Sequence, residues 1–387
     1  MGSYIEKARA LQALVRTHAD ANEAQRHLQA EVAQAFSAAG LYRIAAPKDT
    51  FGSEQTPQEQ LGVIETIAYA DGASAWNLMI GIESFGLIAP GFEQCRDLIE
   101  DPNVIIASST AFVGRAVRQE GGYRVSGQWP FASGVHNAQI FGATLRIHES
   151  ADSEAVGQNR YAIIPIGECT ILDTWHTSGL RGSGSHDVLV EDVFVPENRL
   201  IAPIGAAPHD SPLLRFPLGA RLAYNKVASA WGLGRAAIDH FVELAAGKTP
   251  RFSNRKLQER PRAHLAVAQA EARFRGGKAL VHELLEEMWQ QVLKADHITS
   301  KERALFQIAC SDSVAGCIDL TENLVRTAGT TANQIGHPLE RILRDIRVVG
   351  QHTTVAPQHI EDAGRLLLGV PAQEMMLAGL KGMQQDS

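Results

Sequence analysis

The chain has little cysteine and few aromatics: four cysteines in 387 residues, with Phe, Trp and Tyr together at 6%. Cys95, Cys169, Cys310 and Cys317 are scattered and form no C-x-x-C pair. Neither a zinc site nor a disulfide framework follows, and a reducing cytoplasm is the expected compartment. There is no block of Lys or Arg; the formal net charge is −7 and both signs are interspersed, which argues against a nucleic-acid surface. The apolar run Gly72 to Ile82 is too short to cross a bilayer and contains two glycines. The start, Met-Gly-Ser-Tyr-Ile-Glu-Lys, turns charged and helical too soon for a secretory signal, and Glu6 stands where a myristoylation signal needs Ser or Thr. A soluble protein is expected.

Several chemistry-bearing motifs are also missing. Gly232-Leu233-Gly234-Arg235-Ala236-Ala237 matches the dinucleotide fingerprint on paper, but the residues before it, Leu222 to Trp231, read as helix where that motif needs a strand. Small residues letting two helices pack closely is the better reading. His282-Glu283 begins like a zinc-protease motif, but Glu286 occupies the place of the second His. None of the fourteen histidines follows a Glu by three residues, so a di-iron bundle is not indicated, and no Gly-x-Ser-x-Gly elbow occurs. No metal site is expected.

What is present is an unusual order of textures. Residues 1–102 read as helical: Tyr4 to Ala39 carries apolar residues at helical spacing, and Thr56-Pro57-Gln58-Glu59 has the composition of a helix start. Asp71-Gly72 should end that helix, with Ser74 capping the next one toward Phe85. Residues 103–202 hold short β-branched or aromatic runs at Val104–Ser108, Tyr123–Ser126, Gln139–Ile147, Tyr161–Ile166 and Val188–Val195, punctuated by glycine; this predicts an antiparallel β-domain. Pro203–Pro212 reads as a linker. Residues 213–387 return to long helical segments, reaching about Met383. The expected class is α+β: a helical domain, a β-barrel-like middle domain and a C-terminal helical bundle.

Two segments of the β-domain carry a resemblance. They are Gly122-Tyr123-Arg124-Val125-Ser126-Gly127-Gln128-Trp129-Pro130-Phe131-Ala132-Ser133-Gly134, and Gly179-Leu180-Arg181-Gly182-Ser183-Gly184-Ser185-His186-Asp187 continuing to Pro196. Both resemble acyl-CoA dehydrogenases, and in element order the resemblance covers nearly the whole chain. In that family a hydroxyl residue near the end of the first segment bonds flavin N5, and the strands wall the isoalloxazine ring. The resemblance therefore implies Trp129, Phe131 and Trp175 as wall, with Ser133, Ser183 and Ser185 as donors. Either Ser133 or Ala132 stands at the N5-bonding position. Arg251 is the candidate for the flavin phosphate.

The C-terminal part separates the relatives. The dehydrogenases abstract a proton with a Glu that in many members lies shortly after an Arg-Asp pair. Here Arg344-Asp345 is followed by Ile346-Arg347-Val348-Val349-Gly350-Gln351-His352, with no carboxylate until Glu361. His352 at the base position resembles the two-component flavin monooxygenases, such as those acting on 4-hydroxyphenylacetate, hydroxylated steroids, indoles and dibenzothiophene. That subgroup takes reduced FMN or FAD from a separate flavin reductase, reacts it with O2 and oxygenates an aromatic substrate. The resemblance implies an oxygenase of an aromatic, indole-like compound, usually a homotetramer. His352, with a pKa near neutral, would either accept a substrate proton or steady the flavin hydroperoxide by a hydrogen bond. Several relatives carry a second His near Gly81–Phe85; this chain has Glu83 and Ser84 there. The rival readings are an acyl-CoA dehydrogenase with bound FAD and a flavin-free scaffold protein.

Overall fold

A computed structural model describes residues 2–202 and 210–373, with the side chains of Pro90 and Gln158 left aside. Residues 203–209 of the expected linker Pro203–Pro212, and the helical stretch beyond 373, lie outside the described residues; the linker's last residue, Pro212, already opens a short helix. The chain divides into two compact units, one of residues 1–56, 76–177 and 181–215, the other of 57–75, 178–180 and 216–387.

The first unit opens with helices α1 (Tyr4–Gln25) and α2 (Ala30–Ala38). Their junction is a left-handed Arg26, so the single helical stretch expected from Tyr4 to Ala39 is two. Ser3 and Glu6 form a capping box at the start of α1. Helix α3 (Pro57–Ala68) begins at its proline, and α4 spans Gly72–Ile88. The cap of α4 is Asp71 and not Ser74: the Asp71 carboxylate accepts from the Ser74 backbone N–H at 2.8 Å and from its hydroxyl at 2.6 Å. Asp is the stronger cap because an anion faces the helix N-terminus. A short α5 (Arg96–Ile99) leads into the sheet.

Seven strands follow: β1 (Ile106–Gln119), β2 (Gly122–Trp129), β3 (Ile140–His148), β4 (Ala155–Pro165), β5 (Thr170–Leu172), β6 (Asp187–Pro196) and β7 (Leu200–Ile201). Their order is β5-β6-β2-β1-β3-β4-β7. The expected antiparallel pattern holds except at the centre, where β1 pairs with β3 in parallel and the register shifts between Ser109 and Gly114. One buried layer, including Val125, Trp129, Phe141, Leu145, Ile164 and Val190, forms the core beneath the sheet. Helix α6 (Pro212–Arg215) closes the unit.

The second unit is built on α7 (Leu218–Gly247), α8 (Pro261–Leu293) and α9 (Ser300–Ala328), with α10 (Pro338–Val349), α11 (Gln358–Leu367) and α3 packed against them. The fingerprint-like glycines are contact points here. A Cβ on Gly232 would lie 2.4 Å from that of Ala68 and 2.5 Å from the Glu65 carbonyl oxygen, so α7 and α3 meet only because that residue is glycine. That is the packing role anticipated for this motif.

Candidate active site

Strand β2 ends at Trp129, and the chain then turns through Pro130, Phe131, Ala132, Ser133 and Gly134. Phe131 has φ 62° and Gly134 φ 81°. A left-handed Phe is uncommon and costs on the order of 1–3 kcal/mol, so its surroundings must impose it. They do. The Ser109 hydroxyl donates to the Pro130 carbonyl at 2.8 Å, Ala132 N–H donates to the His186 carbonyl at 2.9 Å, and Gly134 N–H donates to the Ser183 carbonyl at 3.0 Å. The two sequence segments that carry the resemblance are thus tied together backbone to backbone.

Their hydroxyls meet in a buried chain. Ser133 Oγ lies 2.6 Å from Ser185 Oγ, which lies 2.7 Å from Ser183 Oγ. The indole N–H of Trp76, on α4, donates to Ser133 Oγ at 3.2 Å. Because that N–H can only donate, it takes a lone pair of Ser133 and leaves the hydroxyl proton free to be given elsewhere. Of the two candidates for the N5-bonding position, the Ala132 N–H is held by the His186 carbonyl and the Ser133 hydroxyl is engaged with Ser185, where either oxygen can be the donor.

The aromatic candidates separate. Phe131 is 67% exposed and packs edge-to-face on Trp175 with ring centroids 6.2 Å apart, an open apolar surface beside the serines. Trp129 is different. It is fully buried, its N–H donates to the Thr144 carbonyl at 2.8 Å, and its ring stands on Phe141. Gly114 is glycine because a Cβ there would come 2.0 Å from the Trp129 ring. The wall role expected of Trp129 is therefore corrected: it supports the sheet from inside.

Sequence reasoning passed over His186, which the structure makes a junction. Its Nδ1 lies within hydrogen-bond reach of the backbone N–H groups of Thr174 at 3.2 Å and Trp175 at 3.3 Å and of the Leu172 carbonyl at 3.1 Å, and its Nε2 lies 3.2 Å from the Arg26 carbonyl. Burial holds its pKa below the usual histidine value, which favours the neutral ring. Ser84, a minor candidate, is buried and hydrogen-bonds the Ser108 hydroxyl at 2.7 Å.

In the second unit, Arg344 and Asp345 of α10 hold the segment 178–180 that precedes Arg181. The Asp345 carboxylate accepts the Leu180 N–H at 2.6 Å, and Arg344 donates to the Ser178 carbonyl at 2.6 Å. Gly179 permits this approach, since a Cβ there would sit 2.2 Å from the Arg344 carbonyl oxygen. His352 follows α10 by three residues. Its Nδ1 accepts from the Thr354 backbone N–H at 3.3 Å and lies 2.9 Å from the Thr354 hydroxyl. Burial, and then the Lys226 ammonium, hold its pKa well below the ordinary value. The near-neutral pKa expected for it is corrected, because a cation and a low-dielectric setting both disfavour imidazolium. Burial and Lys226 thus both favour the neutral ring, with Nδ1 turned to the Thr354 N–H and hydroxyl. Arg251 lies in the connection between α7 and α8. It is exposed, with its guanidinium 5.0 Å from the Phe252 ring centroid.

Residues 225–357 match the family model described as "Acyl-CoA dehydrogenase, C-terminal domain". The indole-3-acetate monooxygenase of Pseudomonas putida is 30% identical over 349 residues, covering 89% of this chain and 88% of that one. The chain belongs to the flavin-dependent monooxygenases of the acyl-CoA dehydrogenase scaffold. The flavin-dependent monooxygenase oxygenase subunit HsaA of Rhodococcus jostii is 25% identical over 370 residues, covering 92% of this chain and 95% of the relative. Among solved structures, the 3-HSA hydroxylase of a Rhodococcus species superposes with a TM-score of 0.87 at 23% identity, covering 97% of this chain and 99% of that one. XiaF of a Streptomyces species, in complex with FADH2 and glycerol, superposes with a TM-score of 0.86 at 22% identity, over 96% and 97%. This monooxygenase is accordingly an oxidoreductase, and the dehydrogenase alternative is the weaker reading. No helix among the described residues is long and apolar enough to cross a membrane.

Proposed function

We propose that the protein is the oxygenase component of a two-component system, taking reduced FMN or FAD from a separate reductase and using O2 to oxygenate an aromatic substrate of the indole class. The observation that carries this reading is His352: where a dehydrogenase needs a carboxylate base, this chain holds a buried imidazole set beside Thr354, in surroundings that disfavour its charged form. The names of relatives acting on indole-3-acetate and resorcinol support the aromatic substrate.

The residues fit a flavin ring. A flavin asks for an apolar face and donors toward its nitrogens and carbonyls. Phe131 and Trp175 supply the face, and the Ser133 hydroxyl, backed by Ser185 and Ser183, supplies a donor whose orientation Trp76 sets. Arg251 is our candidate for the phosphate. Reduced flavin, when bound, supplies the electron pair by which one atom of O2 enters the substrate and the other leaves as water. The protein's part is to hold the ring, exclude water and place protons. His352 enters this scheme as a hydrogen-bond donor through Nε2, because an imidazole held well below its ordinary pKa is a poor acceptor of a substrate proton.

Assembly as a homotetramer and a cytoplasmic location complete the proposal. Anaerobic titration with reduced and oxidised flavin tests the function. Tighter binding of the reduced form, to a protein isolated colourless or faintly yellow, is expected. Stoichiometric oxidised FAD that an acyl-CoA bleaches would establish the dehydrogenase instead.

A further inference from the structure

Asn77 is the next residue after Trp76 on α4 and is 2% exposed. Its amide packs against Gly134: a Cβ on that glycine would lie 3.1 Å from Asn77 Nδ2 and 3.3 Å from its Oδ1. The Tyr42 phenol donates to Asn77 Oδ1 at 3.2 Å. Burial raises the Tyr42 pKa, so the phenol keeps its proton and remains a donor. In this arrangement the amide oxygen faces the phenol. Asn77 Nδ2, with two N–H groups, is left buried without a hydrogen-bond partner among the described residues.

A buried amide donor with no acceptor is costly, and a leucine would fill the same space without that cost. The orphaned donor also sits at the turn whose preceding residue is Ser133. Two adjacent α4 side chains therefore serve two adjacent residues of one turn: Trp76 orients the Ser133 hydroxyl, and Asn77 presents a spare donor beside Gly134. Next to N5 a flavin carries a ring carbonyl, an acceptor with no proton of its own. We propose that Asn77 Nδ2 is a ligand-binding group that donates to this carbonyl, completing with Ser133 a two-donor clamp on one edge of the ring. The assignment rests on the flavin reading of the Ser133–Gly134 turn given above.

The test compares wild type, Asn77→Leu and Tyr42→Phe in two measurements: the thermal midpoint of the flavin-free protein, and anaerobic dissociation constants for reduced FMN and reduced FAD. For Asn77→Leu the flavin-free midpoint should hold or rise, because an unpaired buried donor is gone. The dissociation constant for the reduced flavin that wild type binds should rise at least ~10-fold, the scale of one well-placed hydrogen bond. Tyr42→Phe, which unlocks the amide without removing it, should give a smaller rise. Unchanged flavin affinity in Asn77→Leu overturns the proposal; a lowered midpoint with unchanged affinity would show an amide serving the fold through ordered water. If flavin affinity holds but binding of indole-3-acetate to the flavin-loaded protein weakens, the acceptor is a substrate oxygen and the flavin assignment is wrong. If wild type itself binds no reduced flavin, the functional reading falls, and this assignment with it.

Discussion

Trp76 on α4 gives its indole N–H to the hydroxyl of Ser133 at 3.2 Å, in the turn that follows β2. A serine hydroxyl rotates freely unless a neighbour takes its acceptor side, and this contact does so. Trp76→Phe keeps most of the ring's bulk and removes only that donor. Reduced-flavin affinity should fall several-fold, with a Ser133→Ala variant falling at least as far. Combining the two should add little, because both act through one hydroxyl. Additive losses in the titrations would mean that Trp76 and Ser133 serve the flavin independently.

Asp345 accepts the Leu180 N–H at 2.6 Å and is only 3% exposed. Asp345→Ala leaves that N–H buried without its carboxylate, a loss of about 1–3 kcal/mol. Leu180 has φ 50°, a conformation that relaxes once the anchor is gone. The thermal midpoint should drop by several degrees and reduced-flavin affinity should weaken, because Ser183 lies three residues further along the chain. Asp345→Asn, which retains a carbonyl acceptor, should recover part of both. Equal damage in the two variants would point to the charge as what matters.

Most of this was legible in the sequence, for reasons that local chemistry supplies. Strand β2 alternates cleanly between buried and exposed residues, and the Thr56-Pro57 start marks α3 without ambiguity. Strand β1 runs well past the expected Ser108, because across its register shift the alternation breaks and Phe112 and Val113 are both exposed. Its parallel pairing with β3 depends on distant residues and leaves no local trace. At the site, the hydroxyls Ser133, Ser183 and Ser185 were visible because motif and chemistry agree. Trp129 and Phe131 were indistinguishable as aromatics; only the positive φ at Phe131 turns one ring outward while the other closes the core. Trp76, Asn77 and His186 gave no signal, since each acts through a partner far away in sequence.

The pH response follows from His352. Its pKa is depressed in the folded protein, so between that value and the unfolded value of about 6.5 the unfolded chain binds the extra proton. Stability from this group is therefore complete above about pH 6.5 and declines as the pH falls below it. His352→Gln should flatten the acid side of a plot of thermal midpoint against pH. Oxygen transfer should stay level as pH falls through about 6.5, since the folded ring remains neutral there. A midpoint plot with the same acid slope in the variant would show that other buried groups dominate.

The role of His352 can be separated from its packing by two substitutions. His352→Ala removes the Nε2 donor and should keep the folded protein and its reduced-flavin affinity within a few-fold. Oxygen transfer to substrate should fall by at least ~100-fold, the lower end for a positioned proton-handling group, with hydrogen peroxide accumulating in place of product. His352→Gln offers an amide N–H at similar reach but is no base at any working pH. If the ring acts as a donor, as proposed from its disfavoured charged form, Gln should recover a clear part of the lost coupling between flavin oxidation and product. A general base would be as crippled by Gln as by Ala. Single-turnover measurements of product per flavin oxidised distinguish the cases, and a near wild-type yield from the Ala variant would make His352 a packing residue.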